Sequence, residues 1–115
     1  NASLTDEQLR VAVCAIDVPC GAATHALGLP VAADTEEPSV RAVVSRLSLG
    51  EADVGVVYQT DVLAVDGIDR VPGVDLPPFV VEYWAESLTA DGDRFVSYLR
   101  SDAAIKILHD HGFDT

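Results

Sequence analysis

Positive charge is scarce in this sequence. Seven arginines and lysines stand against nineteen aspartates and glutamates, Lys106 is the only lysine, and the formal net charge is −12. Nucleic-acid binding needs a basic stripe, and attraction to anionic lipid needs a polybasic segment. No stretch of the chain offers either. The acids are dispersed, which describes a solvated acidic surface suited to solubility or to high salt. Aromatic residues are also few, at 6%, so the core has to come from Val, Ala, Leu and Ile, for which a hydrophobic content of 49% suffices. No apolar run approaches the roughly 18 residues that span a bilayer. Asn1 to Arg10 is polar and mixed in charge, unlike a signal peptide or a lipid-attachment sequence. A targeting segment, if the protein is exported, is expected outside this chain.

Cysteine is limited to Cys14 and Cys20, too few for a disulfide scaffold. Cys14 lies in an apolar run and reads as a small buried hydrophobe. Cys20 precedes Gly21 in an expected loop. A strand residue and a loop residue this close in sequence rarely meet disulfide geometry, which disfavours a bridge while the sequence leaves the disulfide state of the pair open. Signatures of catalysis are missing as well. There is no G-x-S-x-G, no cysteine paired with an evident base, no Walker A and no dinucleotide fingerprint. His109-Asp-His111 has the look of a metal tract, but two histidines at a fraying helix end rarely close a site, and no metal ligand is assigned. The expectation is a protein that is not an enzyme and carries no cofactor.

What is present is an alternation of strand-like and helix-like segments. Leu9 to Ile16 reads as a buried strand, Asp17 to Gly21 as a loop, and Ala22 to Leu27 as a helix stopped by Gly28. Pro30 to Glu37 is a connector that admits a short strand at Val31 to Ala33. Pro38 to Gly50 is the clearest helix, with Val40, Val43, Val44 and Leu47 at helical spacing. Asp53 to Tyr58 is a second buried strand, and Thr60 or Asp61 caps a short helix through Ala64. Ile68 to Val71 and Phe79 to Ala85 read as further strands, the latter rich in branched and aromatic residues, with a proline-bearing loop from Val74 to Pro78 between them. Asp91 to Leu99 and Asp102 to Asp110 are helices, the second capped by Ser101. This order predicts an α/β fold with a largely parallel sheet, whose ligands gather where strand ends meet helix starts.

Three such junctions carry candidate chemistry. Val18-Pro-Cys-Gly-Ala-Ala23 is a small-residue turn into a helix, leaving amides that with the helix dipole suit an anion; Gly21 would allow close approach. At Glu37-Pro-Ser-Val-Arg41, Ser39 caps the long helix and the amide of Val40 is an unpaired donor. In Val57-Tyr-Gln-Thr-Asp61, Tyr58 closes a buried strand with its hydroxyl near a cleft. An ordinary turn, a plain helix cap and a core tyrosine account for the same three junctions when each is taken alone.

Taken in order, these segments resemble the molybdate-binding proteins of ABC transporters, of the type II periplasmic binding protein architecture. The resemblance rests on Val18-Pro-Cys-Gly, Ser39-Val-Arg, the run Gly50-Glu-Ala-Asp-Val-Gly-Val-Val-Tyr-Gln-Thr-Asp61, Pro77-Pro-Phe-Val, Phe95-Val-Ser-Tyr-Leu-Arg-Ser101 and Gly112-Phe113. The Gly50 to Asp61 run is the most specific. The resemblance implies that the backbone amides of Cys20 and Val40 and the phenol of Tyr58 bind the oxyanion, with Gly21 and Ser39 in support. It implies a three-layer sandwich lobe, residues 1–85, followed by C-terminal helices, residues 86–115, that pack on a first lobe. That first lobe, which supplies further donors such as serine hydroxyls, is expected to be missing here, so the expected partner is the missing N-terminal lobe or a second chain.

The implied function is an extracytoplasmic solute-binding protein, in a periplasm or anchored outside the cytoplasmic membrane. It would capture molybdate or tungstate and deliver it to the membrane permease of an ABC transporter. A ligand-sensing domain of a transcription regulator with the same architecture is the alternative. An enzyme such as a porphyrin-precursor deaminase needs an arginine-rich cleft, which the few arginines disfavour.

Overall fold

The computed structural model describes residues 4–115, which fall into two compact units, one ending at Phe79 and the other Val80–Thr115. The first unit is built on β1 (Val11–Cys14), all four of whose residues are buried. β2 (Thr35–Glu37) and β3 (Val54–Gly55) flank it in the order β2-β1-β3. Both pairings are parallel, with Cys14 opposite Glu37 and Ala12 opposite Gly55. The α/β class with a parallel sheet therefore stands.

Alternation along β1 sends its side chains to two cores. Ala12 and Cys14 join Cys20, Val43 and Ala52 in one cluster. Val11 and Val13 join Leu4 and Val54 in the other, covered by Leu9, Leu29, Val31 and Val56. The first cluster is roofed by α2 (Val40–Ser48), whose Val40, Val43 and Leu47 fall on one face at helical spacing. Val43 is wholly buried, a burial that stabilises by about 1.5–3 kcal/mol. Gly55 is part of that fit, since a Cβ there would lie 2.8 Å from the Ala12 carbonyl oxygen and 3.0 Å from Val43 Cγ1. The short helices α1 (Pro19–Ala26) and α3 (Gln59–Ala64) complete the unit's regular structure.

Several expected strands are corrected. Val31 to Ala33 is not a strand; pairing with β1 begins at Asp34, whose amide donates to the Val11 carbonyl at 2.8 Å and whose carboxylate accepts the Val11 amide at 2.7 Å. Ile68 to Val71, between Gly67 and Pro72, and Phe79 to Ala85 are irregular too. Strand propensity expresses packing on a half-buried pleated surface. Phe79 to Ala85 has no such surface here, and Trp84 is 89% exposed. The first helix also starts earlier than expected, at Pro19, because proline suits the first helical position.

The second unit contains α4 (Ala90–Leu99) and α5 (Asp102–Asp110). Thr89 accepts the Gly92 amide and Ser101 accepts the Ala104 amide, so each helix begins on a hydroxyl cap. Gly112, at φ 87°, turns the chain so that the amide of Phe113 reaches the Leu108 carbonyl. Phe113 then meets Tyr83 edge to face at 6.3 Å between ring centroids.

Candidate functional site

Each strand of the parallel sheet runs directly into a helix, so α1, α2 and α3 all begin at the carboxyl edge of the sheet. The strand order puts the start of α1 in the middle, with the starts of α2 and α3 on either side. Ligand crevices of parallel α/β sheets open at this edge, beside the strand where the chain reverses its direction of travel across the sheet. All three candidate residues stand there. Cys20 belongs to the buried cluster on Ala12 and Cys14, and Val40 and Tyr58 pack against that same cluster. The sequence-predicted trio is thereby brought together.

The amides of the central turn are distributed in a particular way. Pro19 has no N–H, and the amides of Gly21 and Ala22 both donate to the Val18 carbonyl at 3.0 Å. Among the described residues, this leaves the Cys20 N–H as the first-turn donor of α1 with no acceptor in its own turn. At α2 the Ser39 hydroxyl accepts the Ala42 amide at 3.2 Å, and its carbonyl accepts Val43. The amides of Val40 and Arg41 lie ahead of those bonds. At α3 the Tyr58 amide donates to Asp61 Oδ2 at 3.0 Å, which fixes the backbone that carries the phenol.

Gly21 has a packing role. A Cβ at this position would sit 1.7 Å from the Ala15 carbonyl oxygen. The glycine lets α1 seat on the end of β1.

The cysteines are the main correction. Cys14 and Cys20 form a disulfide, with 5.7 Å between their Cα atoms. Cys20 lies in the first turn of α1 and not in a loop, and the helix folds back on the strand end, so the two side chains face one another in the same cluster. The proline that starts the helix one residue before Cys20 was the signal available in the sequence.

Charged groups near the sheet were not anticipated either. Glu37, buried at the end of β2, pairs with Arg46 on α2, which also reaches Glu51 at 3.1 Å. That pairing compensates a buried carboxylate close to the carboxyl edge. At the opposite edge, Arg10 grips Asp53 through Nε at 2.9 Å, Nη2 at 2.8 Å and its backbone amide at 2.8 Å. The Arg10 side-chain bonds, then its amide, pull the Asp53 carboxyl down to about 2. In the second unit, the His109 ring bonds Thr115 and the His111 ring bonds the Ile107 carbonyl, each at 2.8 Å.

Comparison with known proteins gives this arrangement its context. The model of the bacterial extracellular solute-binding proteins matches residues 2–114, nearly the whole chain. The chain belongs to this family. It is 36% identical over 124 aligned residues to the molybdate-binding protein ModA of Mycobacterium tuberculosis and to that of Mycobacterium bovis, which covers 97% of this chain and 47% of each relative. A Bacillus subtilis family relative, YvgL, described as an ABC transporter substrate-binding lipoprotein, is 34% identical over 80 residues, 64% of this chain and 31% of its own length. The chain thus spans about half the length of the ModA proteins it matches. No solved structure matches it.

Proposed function

We propose that this chain forms one wall of an oxyanion site and that the protein captures molybdate or tungstate outside the cytoplasm for the permease of an ABC transporter. The observation that carries the reading is the convergence of Cys20, Val40 and Tyr58 on one cluster at the carboxyl edge of the sheet. In this reading the Cys20 and Val40 amides donate from two helix starts, where the peptide dipoles favour an anion. The Tyr58 phenol donates from the third junction. A tetrahedral dianion held by neutral, oriented donors needs no arginine or lysine clamp, which suits a chain with seven basic residues.

Two further observations support it. The mycobacterial relatives are named for molybdate binding. The Cys14–Cys20 bridge suits an oxidising compartment. The protein is in this account a binder and not an enzyme, with the oxyanion as ligand and no cofactor. Calorimetry on the full-length natural protein with molybdate, tungstate, sulfate and phosphate tests it. Heat of binding is expected with molybdate and tungstate. Absence of heat with both would overturn the reading, and sulfate binding as tightly as molybdate would move the ligand to another oxyanion.

A further inference from the structure

We infer that the Cys14–Cys20 disulfide is the positioning element of the anion site: it clamps the first turn of α1 to the end of β1 and so preorganises the Cys20 amide. The inference rests on the oxyanion reading and adds to it the group that controls affinity. Three observations carry it.

First, the start of α1 has no hydroxyl to hold it. Helices α2, α4 and α5 begin on Ser39, Thr89 and Ser101, each of which accepts an amide of its own first turn. α1 begins on Val18, which offers no side-chain cap. Second, the bridge is anchored in the buried core of the unit. Cys14 ends the fully buried central strand, and both cysteines lie in the buried cluster with Ala12, Val43 and Ala52. Third, the residue that is tied is itself the donor. Cys20 carries the first-turn amide left without an acceptor in its own turn, its carbonyl accepts the Thr24 hydroxyl at 2.8 Å, and its side chain is fixed to Cys14. Next to it, Gly21 is set against the Ala15 carbonyl with no room for a side chain. A donor held in its bound position gives up less freedom on binding, which strengthens binding without adding any contact.

Cleaving the bridge is a two-electron step. A dithiol such as dithiothreitol supplies two electrons and two protons, the Cys14–Cys20 bond breaks to give two thiols, and the dithiol closes to its cyclic disulfide. The site then keeps every donor atom but loses its clamp.

The test compares molybdate affinity of the full-length protein in oxidised, dithiol-reduced and reoxidised forms, alongside the double variant Cys14→Ala/Cys20→Ala. Hydrogen exchange of the α1 and α2 amides is followed in each form. Affinity is expected to fall about tenfold on reduction and in the double variant, and to return on reoxidation. Exchange should quicken in the first turn of α1 and stay unchanged in α2. Equal affinity in all forms, with oxidised protein binding molybdate, would overturn the clamp and leave the oxyanion reading intact. Loss of structure throughout, seen as fast exchange in α2 as well, would also overturn it by assigning the bridge to global stability. If the oxidised protein binds neither molybdate nor tungstate, the oxyanion reading itself fails, whereas the exchange data still report whether the bridge holds the turn.

Discussion

At the scale of single residues, the three candidate donors differ in kind. In the proposed site Tyr58 donates from its side chain, so Tyr58→Phe removes the donor and leaves the ring. A hydrogen bond to a charged acceptor contributes roughly 1.5–3 kcal/mol, so molybdate affinity should fall about tenfold to a hundredfold with the melting temperature little changed. Unaltered affinity by calorimetry would remove Tyr58 from the site. In the same proposal Cys20 donates from the backbone, yet its side chain is not dispensable, because replacing Cys20 also breaks the bridge to Cys14 and frees the turn. Asp53 belongs to the architecture and not to the site. Its carboxyl is held at about 2 by Arg10, below its unfolded value. Its contribution to stability is therefore full above about pH 4 and is lost as pH falls toward 2. Denaturation curves of Asp53→Asn across this range should show a shallower loss of stability than those of the parent; parallel curves would contradict the assignment.

At the scale of elements, the helices and the strands β1 and β3 were legible in the sequence, and β2 was not. Val40, Val43 and Leu47 announce α2, and Ser101 announces the start of α5, because a repeat of about 3.6 residues and a capping hydroxyl are local signals. β2 gave no such signal: Thr-Glu-Glu is polar, and it becomes a strand because Asp34 locks onto Val11 from across the chain. Phe79 to Ala85 failed in the opposite sense, carrying strand-forming residues without a pairing partner. The candidate site was readable from the same helix starts, since a strand running into a capped helix already places amides at one sheet edge. The disulfide was readable only in part: Pro19 signals the early start of α1, whereas the fold-back of α1 on β1 is a tertiary contact with no local signal. Ser39 links cap and site. Ser39→Ala should cost about 1 kcal/mol of stability, measured by urea unfolding, while the Val40 amide remains available. A loss within error of zero would show that the Ser39 hydroxyl does not hold α2.

At the scale of the whole molecule, an acidic surface surrounds the proposed anion site. The net charge of −12 slows encounter with an anion at low salt, while local amides and helix dipoles set the potential at the carboxyl edge of the sheet. Family membership fixes the class of protein, and the proposed site lies at the carboxyl edge of the sheet of the first unit. The central claim is that the Cys20 and Val40 amides touch the ligand. The most direct measurement is an amide NMR titration of the isotopically labelled full-length protein with molybdate. The account predicts large, saturable shifts at Cys20 and Val40, with Arg10 and Asp53 at the opposite edge unmoved. Binding that shifts other amides and leaves Cys20 and Val40 in place would contradict it.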